Sequence, residues 1–162
     1  MMDRIEQGLL WLEELLALMN LPAKVKASER TGWGESTSGW LTIDETDLTP
    51  EQIAIAIGSQ GETIDAMQYL ANTLLNIGLE REEQKAFTIE LDGYRLQREA
   101  ELKARVEIVA QKVRETGKEA EISSLSAAER RQVHHFFKSV EDLSTYSRGQ
   151  EPDRRLVVRL RE

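Results

Sequence analysis

Apolar positions recur along this chain at two periods, and the switches between them mark its elements. Ile5, Leu9, Leu12, Leu16 and Met19 fall at the spacing of one helix face over residues 4–19. Asn20 and the pair Leu21-Pro22 end that pattern. The period then drops to two, with Ala23, Val25 and Ala27 on one side of "AKVKASE". A second alternating run, "SGWLTID", sets Leu41 beside Ile43. Between the two runs the stretch "RTGWGE" supplies Gly32 and Gly34, so the pattern predicts a hairpin.

Thr49-Pro50-Glu51-Gln52 opens the next helix, with Thr49 as the cap, Pro50 in the first turn and Gln52 completing a capping box. It runs to Gly58. A further helix begins after Gly61, with Ile64, Met67, Leu70, Ala71 and Leu74 as its expected buried stripe and Gly78 as its end. Phe87, Ile89 and Leu91 predict a third strand. Leu102, Val106, Val109 and Val113 predict a long helix from Tyr94 to Thr116, stopped by Gly117. "EAEI" reads as a short strand, and Ser126 with Glu129 as a capping box opening a helix to about Lys138. "LSTYSRG" and "RRLVVRL" read as two closing strands around a turn at Gly149 and Pro152. Each half therefore holds enough elements for one small sheet covered by helices. The expectation is an α+β chain of two modules, residues 1–93 and 94–162.

Gly58 and Gly61 interrupt the well-patterned stretch "IAIAIGSQGETIDAMQYLANTLLN" with only Ser59 and Gln60 between them. Glycine is costly inside a helix but suits a positive φ or a close approach. The four letters alone are consistent with a tight corner between two helices, or with a loop that brings backbone close to a ligand. The second possibility has sound chemistry, since the start of the following helix aims free N–H groups outward.

The order helix, strand, strand, helix, Gly-x-x-Gly, helix, strand resembles the type II KH fold, a single-stranded nucleic-acid module. "IGSQGETIDAMQYLANTLLN" further resembles the KH segment of the bacterial Jag family, also called KhpB or the SpoIIIJ-associated proteins. Glu62, Thr63, Asp65, Ala66, Gln68, Tyr69 and Leu70 fit that family's pattern. "LSAAERRQVHHFF" resembles the Arg-x-x-x-His motif of the R-3-H domain, with Arg130 and His134 as the namesake pair, and "STYSRGQEPDRR" resembles the family's tail. The resemblance implies a cytoplasmic RNA-binding protein, a post-transcriptional regulator or RNA chaperone. It implies contacts to the sugar–phosphate backbone from Gly58, Ser59, Gln60 and Gly61, and a small KH-only partner of the KhpA type. It also implies a small antiparallel sheet with two helices for the second module. Two departures are visible. Ser59 and Gln60 are neutral where many members carry Lys or Arg, so attraction at this loop would rest on backbone N–H groups and hydroxyls. The chain also opens on the KH helix, where many members carry an N-terminal Jag domain.

Composition narrows the classes. With 40% apolar and 31% charged residues the chain reads as soluble and globular, and it has no apolar run near the ~20 residues of a membrane span. The acids within the first 20 residues argue against a signal peptide. Without cysteine there is no disulfide, thiolate nucleophile or thiolate metal site, and no cofactor is expected. The net charge of -8 is unevenly spread: residues 123–162 hold 8 Lys/Arg against 6 Asp/Glu, and the rest 13 against 23. Attraction for a polyanion is therefore expected from the C-terminal module.

On a helical projection Arg130 and His134 lie one turn apart, flanking the stripe Val133, Phe136, Phe137 and Val140. They read either as a sheltered donor pair for phosphate or as a packed rim histidine beside a solvated arginine. In "RRLVVRLR" the residues Leu156, Val158 and Leu160 share one face, and Arg155, Val157, Arg159 and Arg161 the other. That face reads as a track for a nucleic-acid backbone or as an ordinary charged sheet edge. Arg154 and Arg155 join the candidate nucleic-acid-binding residues. Trp11 and Phe87 are expected in the core, while Trp33 and Trp40 could stack on bases or cover the sheet.

Two other classes compete with this reading. Adjacent His134 and His135 diverge on a helix and make a poor metal pair, and no phosphate-binding Gly-Lys-Ser/Thr loop or Gly-x-Ser-x-Gly elbow occurs, so an enzyme is not expected. A protein-interaction adaptor with little RNA affinity is the alternative, favoured by the neutral glycine loop and the acidic charge.

Overall fold

A computed structural model describes residues 1–33 and 37–162. Gly34, expected in the hairpin turn, lies outside the described residues. The chain forms two compact units, one of Met1–Thr31 with Thr37–Leu96, the other of Gln97–Glu162 together with Gly32 and Trp33. The architecture is α+β, with one three-stranded sheet in each unit. No helix among the described residues is long and apolar enough to cross a membrane.

In the first unit the elements run α1 (Arg4–Leu18), β1 (Val25–Thr31), β2 (Thr37–Ile43), α2 (Pro50–Ile57), α3 (Glu62–Leu74) and β3 (Phe87–Leu91). β1 and β2 pair antiparallel, from Val25 opposite Ile43 to Thr31 opposite Thr37, and β3 joins β2 in parallel. α2 starts as its sequence dictates: Thr49 Oγ1 accepts from Gln52 N and the Gln52 side chain accepts from Thr49 N. Leu12, Leu16, Leu41, Ile43, Ile64, Ile89 and Leu91 are fully enclosed.

The buried stripe of α3 differs from the expected one. Leu70 and Leu74 are 40% and 50% exposed, while Gln68 is buried beside Ile64, Met67 and Ala71. The reason is the free edge of β3, whose outward backbone groups need partners. Gln68 Oε1 accepts from Ile89 N at 3.0 Å. Asn72 takes both polar groups of Phe87, accepting from N at 2.8 Å and donating to O at 2.9 Å. Asn76, one turn on, does the same for Lys85. Three amides spaced by four thus stand in for a missing fourth strand.

The second unit contains β4 (Ala120–Ile122), α5 (Ala127–Phe137), β5 (Leu143–Arg148) and β6 (Arg155–Leu160), with most of α4 (Tyr94–Thr116). Its sheet is antiparallel in the order β4-β6-β5. Leu102, Val106 and Val113 of α4 and Val133 and Phe137 of α5 pack with Leu143, Leu156 and Val158. β6 is bonded on both sides, so its arginines are not an edge device. Trp40 is buried in the first unit, and Trp11 is only partly covered. Trp33 belongs to the second unit, where its ring stacks on Phe136 at 4.7 Å rather than covering the first sheet.

Candidate nucleic-acid interface

α5 is set by its two ends and its apolar stripe. Ser126 Oγ accepts from Glu129 N and the Glu129 carboxylate accepts from Ser126 N, which fixes the first turn. Val133 and Phe137 then turn into the core. Helical spacing leaves Ala127, Arg130, Arg131, His134, His135 and Lys138 along the adjoining flank. With Ser147 of β5 and Arg154 before β6 they line an open cleft of about 460 Å³. No carboxylate is among these lining residues, which carry four permanent cations and both histidines. In a chain of net charge -8 this is a local reversal of sign.

The pair expected from sequence lies at the cleft's base. Arg130 is only 5% exposed. Its Nη1 donates to the Leu125 carbonyl at 2.7 Å and its Nη2 pairs with the Glu151 carboxylate. His134 is bonded at both ring nitrogens, Nδ1 to Thr145 Oγ1 at 2.6 Å and Nε2 to Ser147 Oγ at 2.9 Å. Burial pushes the His134 pKa below the ordinary value, and the charges of Arg130, Arg154 and Lys138 push it the same way. The ring therefore favours its neutral form, one nitrogen donating to a hydroxyl and the other accepting. Arg131, His135 and Lys138 are exposed at the mouth. Sequence reasoning did not select these three, although their spacing from Arg130 and His134 carried the signal.

Arg154 lies in the cleft, with one contact from Nη1 to the Gly149 carbonyl at 3.4 Å. Arg155 does not. It pairs with Glu121 at 2.9 Å and with Asp153 at 3.6 Å. Register places Arg155 beside Arg148, with Tyr146 opposite Val157, on the sheet face away from Leu156 and Val158. There Arg148 pairs with Glu119 at 2.7 Å and Glu121 at 2.9 Å, and Tyr146 Oη donates to Glu119. The arginine cations hold both glutamates below the usual carboxylate range, and Arg148 is raised in return. Arg159 lies 5.1 Å from the Tyr146 ring centre. Arg161 is spent on the carbonyls of Phe137, Val140 and Leu143. The strand face expected as an arginine track is thus largely neutralised by its own neighbours.

In the first unit Gly58 and Gly61 both have φ of +79°, and Ser59–Gly61 form a single 3-10 turn. A Cβ on Gly58 would meet the Thr63 amide nitrogen at 2.7 Å, and one on Gly61 would overlap the Tyr94 phenol oxygen. The glycines are therefore required by the chain's own packing. Ser59 and Gln60 are exposed, Gln60 with φ of +53°.

Residues 100–160 match the family model of the R-3-H domain. Three proteins bearing the name RNA-binding protein KhpB are similar to this chain. The one from Clostridium symbiosum is 23% identical over 96% of this chain and 66% of its own. Those from Lactiplantibacillus plantarum and Bacillus subtilis are 32% and 29% identical, over 67% and 68% of this chain and 33% and 53% of theirs. The chain thus spans from a third to just under two thirds of the length of these relatives. The domain match over the unit that contains the cleft, and three relatives sharing one name, place an R-3-H domain in this chain and support a protein of the KhpB, or Jag, family.

Proposed function

We propose that this protein binds single-stranded nucleic acid, RNA foremost, and catalyses no reaction. The observation that carries the proposal is the cleft along α5, where Arg130, Arg131, Lys138 and Arg154 converge with His134 and His135, and where the lining includes no carboxylate although Arg130 is paired with Glu151 beside it. Such a surface suits phosphate oxygens at short range and draws a polyanion from a distance. The relatives' shared name and the domain match support RNA as the ligand. The first unit is read as a KH-type module, supported by its element order and by a Gly58–Gly61 turn joining α2 to α3. It would offer phosphate the backbone N–H groups at the start of α3 and the Ser59 hydroxyl. A role as a post-transcriptional regulator or RNA chaperone in the cytoplasm follows from the same reading.

Titrating the protein into labelled single-stranded RNA, single-stranded DNA and perfect duplex over a range of salt tests it. The expected result is preference for single strands, with affinity falling as salt rises and a shallow slope from few phosphate contacts. Equal preference for duplex, or no salt response, overturns it.

A second reading, an adaptor that docks a protein such as a small KH-only partner of the KhpA type, is favoured by the exposed face of α3. Tyr69, Leu70 and Leu74 are all exposed there, Tyr69 at 68%. Retention of such a partner by a protein that fails to bind any single strand would select this reading.

A further inference from the structure

Arg130 carries a permanent charge, yet it is nearly enclosed, and two of its donors are already committed to two different loops. Leu125 belongs to the segment before α5, and Glu151 to the turn between β5 and β6. That turn is compact: Asp153 N donates to the Gln150 carbonyl at 2.9 Å, and Gly149 packs 3.4 Å from the Asp153 oxygen at the point where a side chain would begin. Arg154 follows directly and enters the cleft. His134 is likewise held from both sides, by two hydroxyls of β5. Arg131 and Lys138, by contrast, are exposed and have no ion pair or side-chain hydrogen bond among the described residues.

Building on the RNA-binding reading above, we infer that Arg130 is a positioning residue. Through Glu151 it fastens the β5–β6 turn so that Arg154 faces the cleft, while Arg131, Lys138 and Arg154 make the phosphate contacts. Desolvation decides between this role and direct grip. A buried guanidinium left without its carboxylate is strongly unfavourable, so a ligand that displaced Glu151 would have to replace that pairing in full. The exposed cations need no such exchange.

Removing Arg130 would leave the carbonyl of the buried Leu125 without its donor and open a gap under α5, which puts the folding of the whole unit at stake. Glu151→Asp avoids this because it keeps the charge and shortens the reach. Single-stranded RNA affinity is measured against salt for the full chain and for Glu151→Asp, Arg154→Gln, their double variant, Arg131→Gln and Lys138→Gln. Each of Arg131→Gln, Lys138→Gln and Arg154→Gln is expected to lower the salt slope by about one unit. Glu151→Asp is expected to weaken binding several-fold, and to add nothing once Arg154 is Gln, because its effect runs through that side chain. A general loss of structure would instead weaken binding equally in both backgrounds and overturn the inference. Stronger binding by Glu151→Asp also overturns it, since Glu151 would then be competing with phosphate for Arg130. If all three Gln variants bind as the parent does, the cleft is not the RNA site and the underlying reading falls with the inference.

Discussion

Tyr94 fills the space that a side chain on Gly61 would need, and its hydroxyl donates to the Gln60 carbonyl at 3.2 Å. The first residue of α4 thus braces the turn between α2 and α3. This changes what a substitution at the glycines reports. Gly58→Asp or Gly61→Asp would disturb the fold before it could repel phosphate.

Gly58→Ala and Gly61→Ala should each destabilise the first unit, by about 1–3 kcal/mol from the positive φ alone and more where the overlap is not relieved. Tyr94→Phe should cost about 1 kcal/mol, the usual worth of one hydrogen bond. Urea unfolding of the three variants checks both. Stability unchanged in Gly61→Ala would mean that the turn adapts freely.

Asn72→Ala should be among the most damaging polar substitutions in the first unit. It strands the Phe87 N–H and carbonyl at the edge of β3, at about 1–3 kcal/mol for each buried group left unpaired. The uncovered edge should also promote association between chains. Chemical denaturation gives the stability, and light scattering at several concentrations gives the association. A variant as stable and monodisperse as the parent would show that the amide row is dispensable.

RNA binding should depend on pH through His134. Its pKa lies below the ordinary 6.5 in the free protein, and a phosphate beside the ring would raise it. Affinity should therefore increase as pH falls from about 6.5 through the free ring's lowered pKa, then level off. The ring's effect on folding runs the opposite way: its stabilising contribution is present above 6.5 and lost as pH falls through the folded value. An NMR titration of His134 with and without a single-stranded oligonucleotide measures the shift, and identical curves would remove the histidine from the linkage.

The lattice on the outer sheet face should give acid sensitivity. Glu119 and Glu121 titrate below their ordinary 4.5, chiefly through hydrogen bonds from Arg148 and Arg155 respectively, and Asp142 is lowered by Arg114. For groups of depressed pKa the stabilisation is complete above the ordinary value and disappears as pH falls through the folded one. Glu121→Gln should therefore flatten the loss of thermal stability below about pH 4.5. Arg155→Gln should leave the RNA salt slope unchanged, because Arg155 faces this lattice and not the cleft. A slope reduced by a full unit would return Arg155 to the binding surface.

Elements set by local rules were legible in the sequence. Thr49 with Gln52 and Ser126 with Glu129 cap the helices they were expected to cap, and the alternation in 87–91 and 155–160 became strands. Capping and periodicity depend on neighbours within one or two turns, so the chain itself contains both partners. The family resemblance was also legible, being carried by contiguous residues around Gly61 and Arg130. What the tertiary structure decided was the use of side chains whose partners are distant in sequence. Leu70 and Leu74 were expected inward by periodicity, yet Gln68 and Asn72 took the inner side because β3, 15 to 21 residues away, had an open edge to satisfy. The same holds for charge. Arg154 and Arg155 are neighbours in the chain, but Glu121 lies 34 residues from Arg155, and only folding brings its carboxylate to one arginine while leaving the other beside the cleft. A charged residue's sign is written in the sequence; whether that charge is free to meet a ligand depends on which opposite charge the fold sets against it.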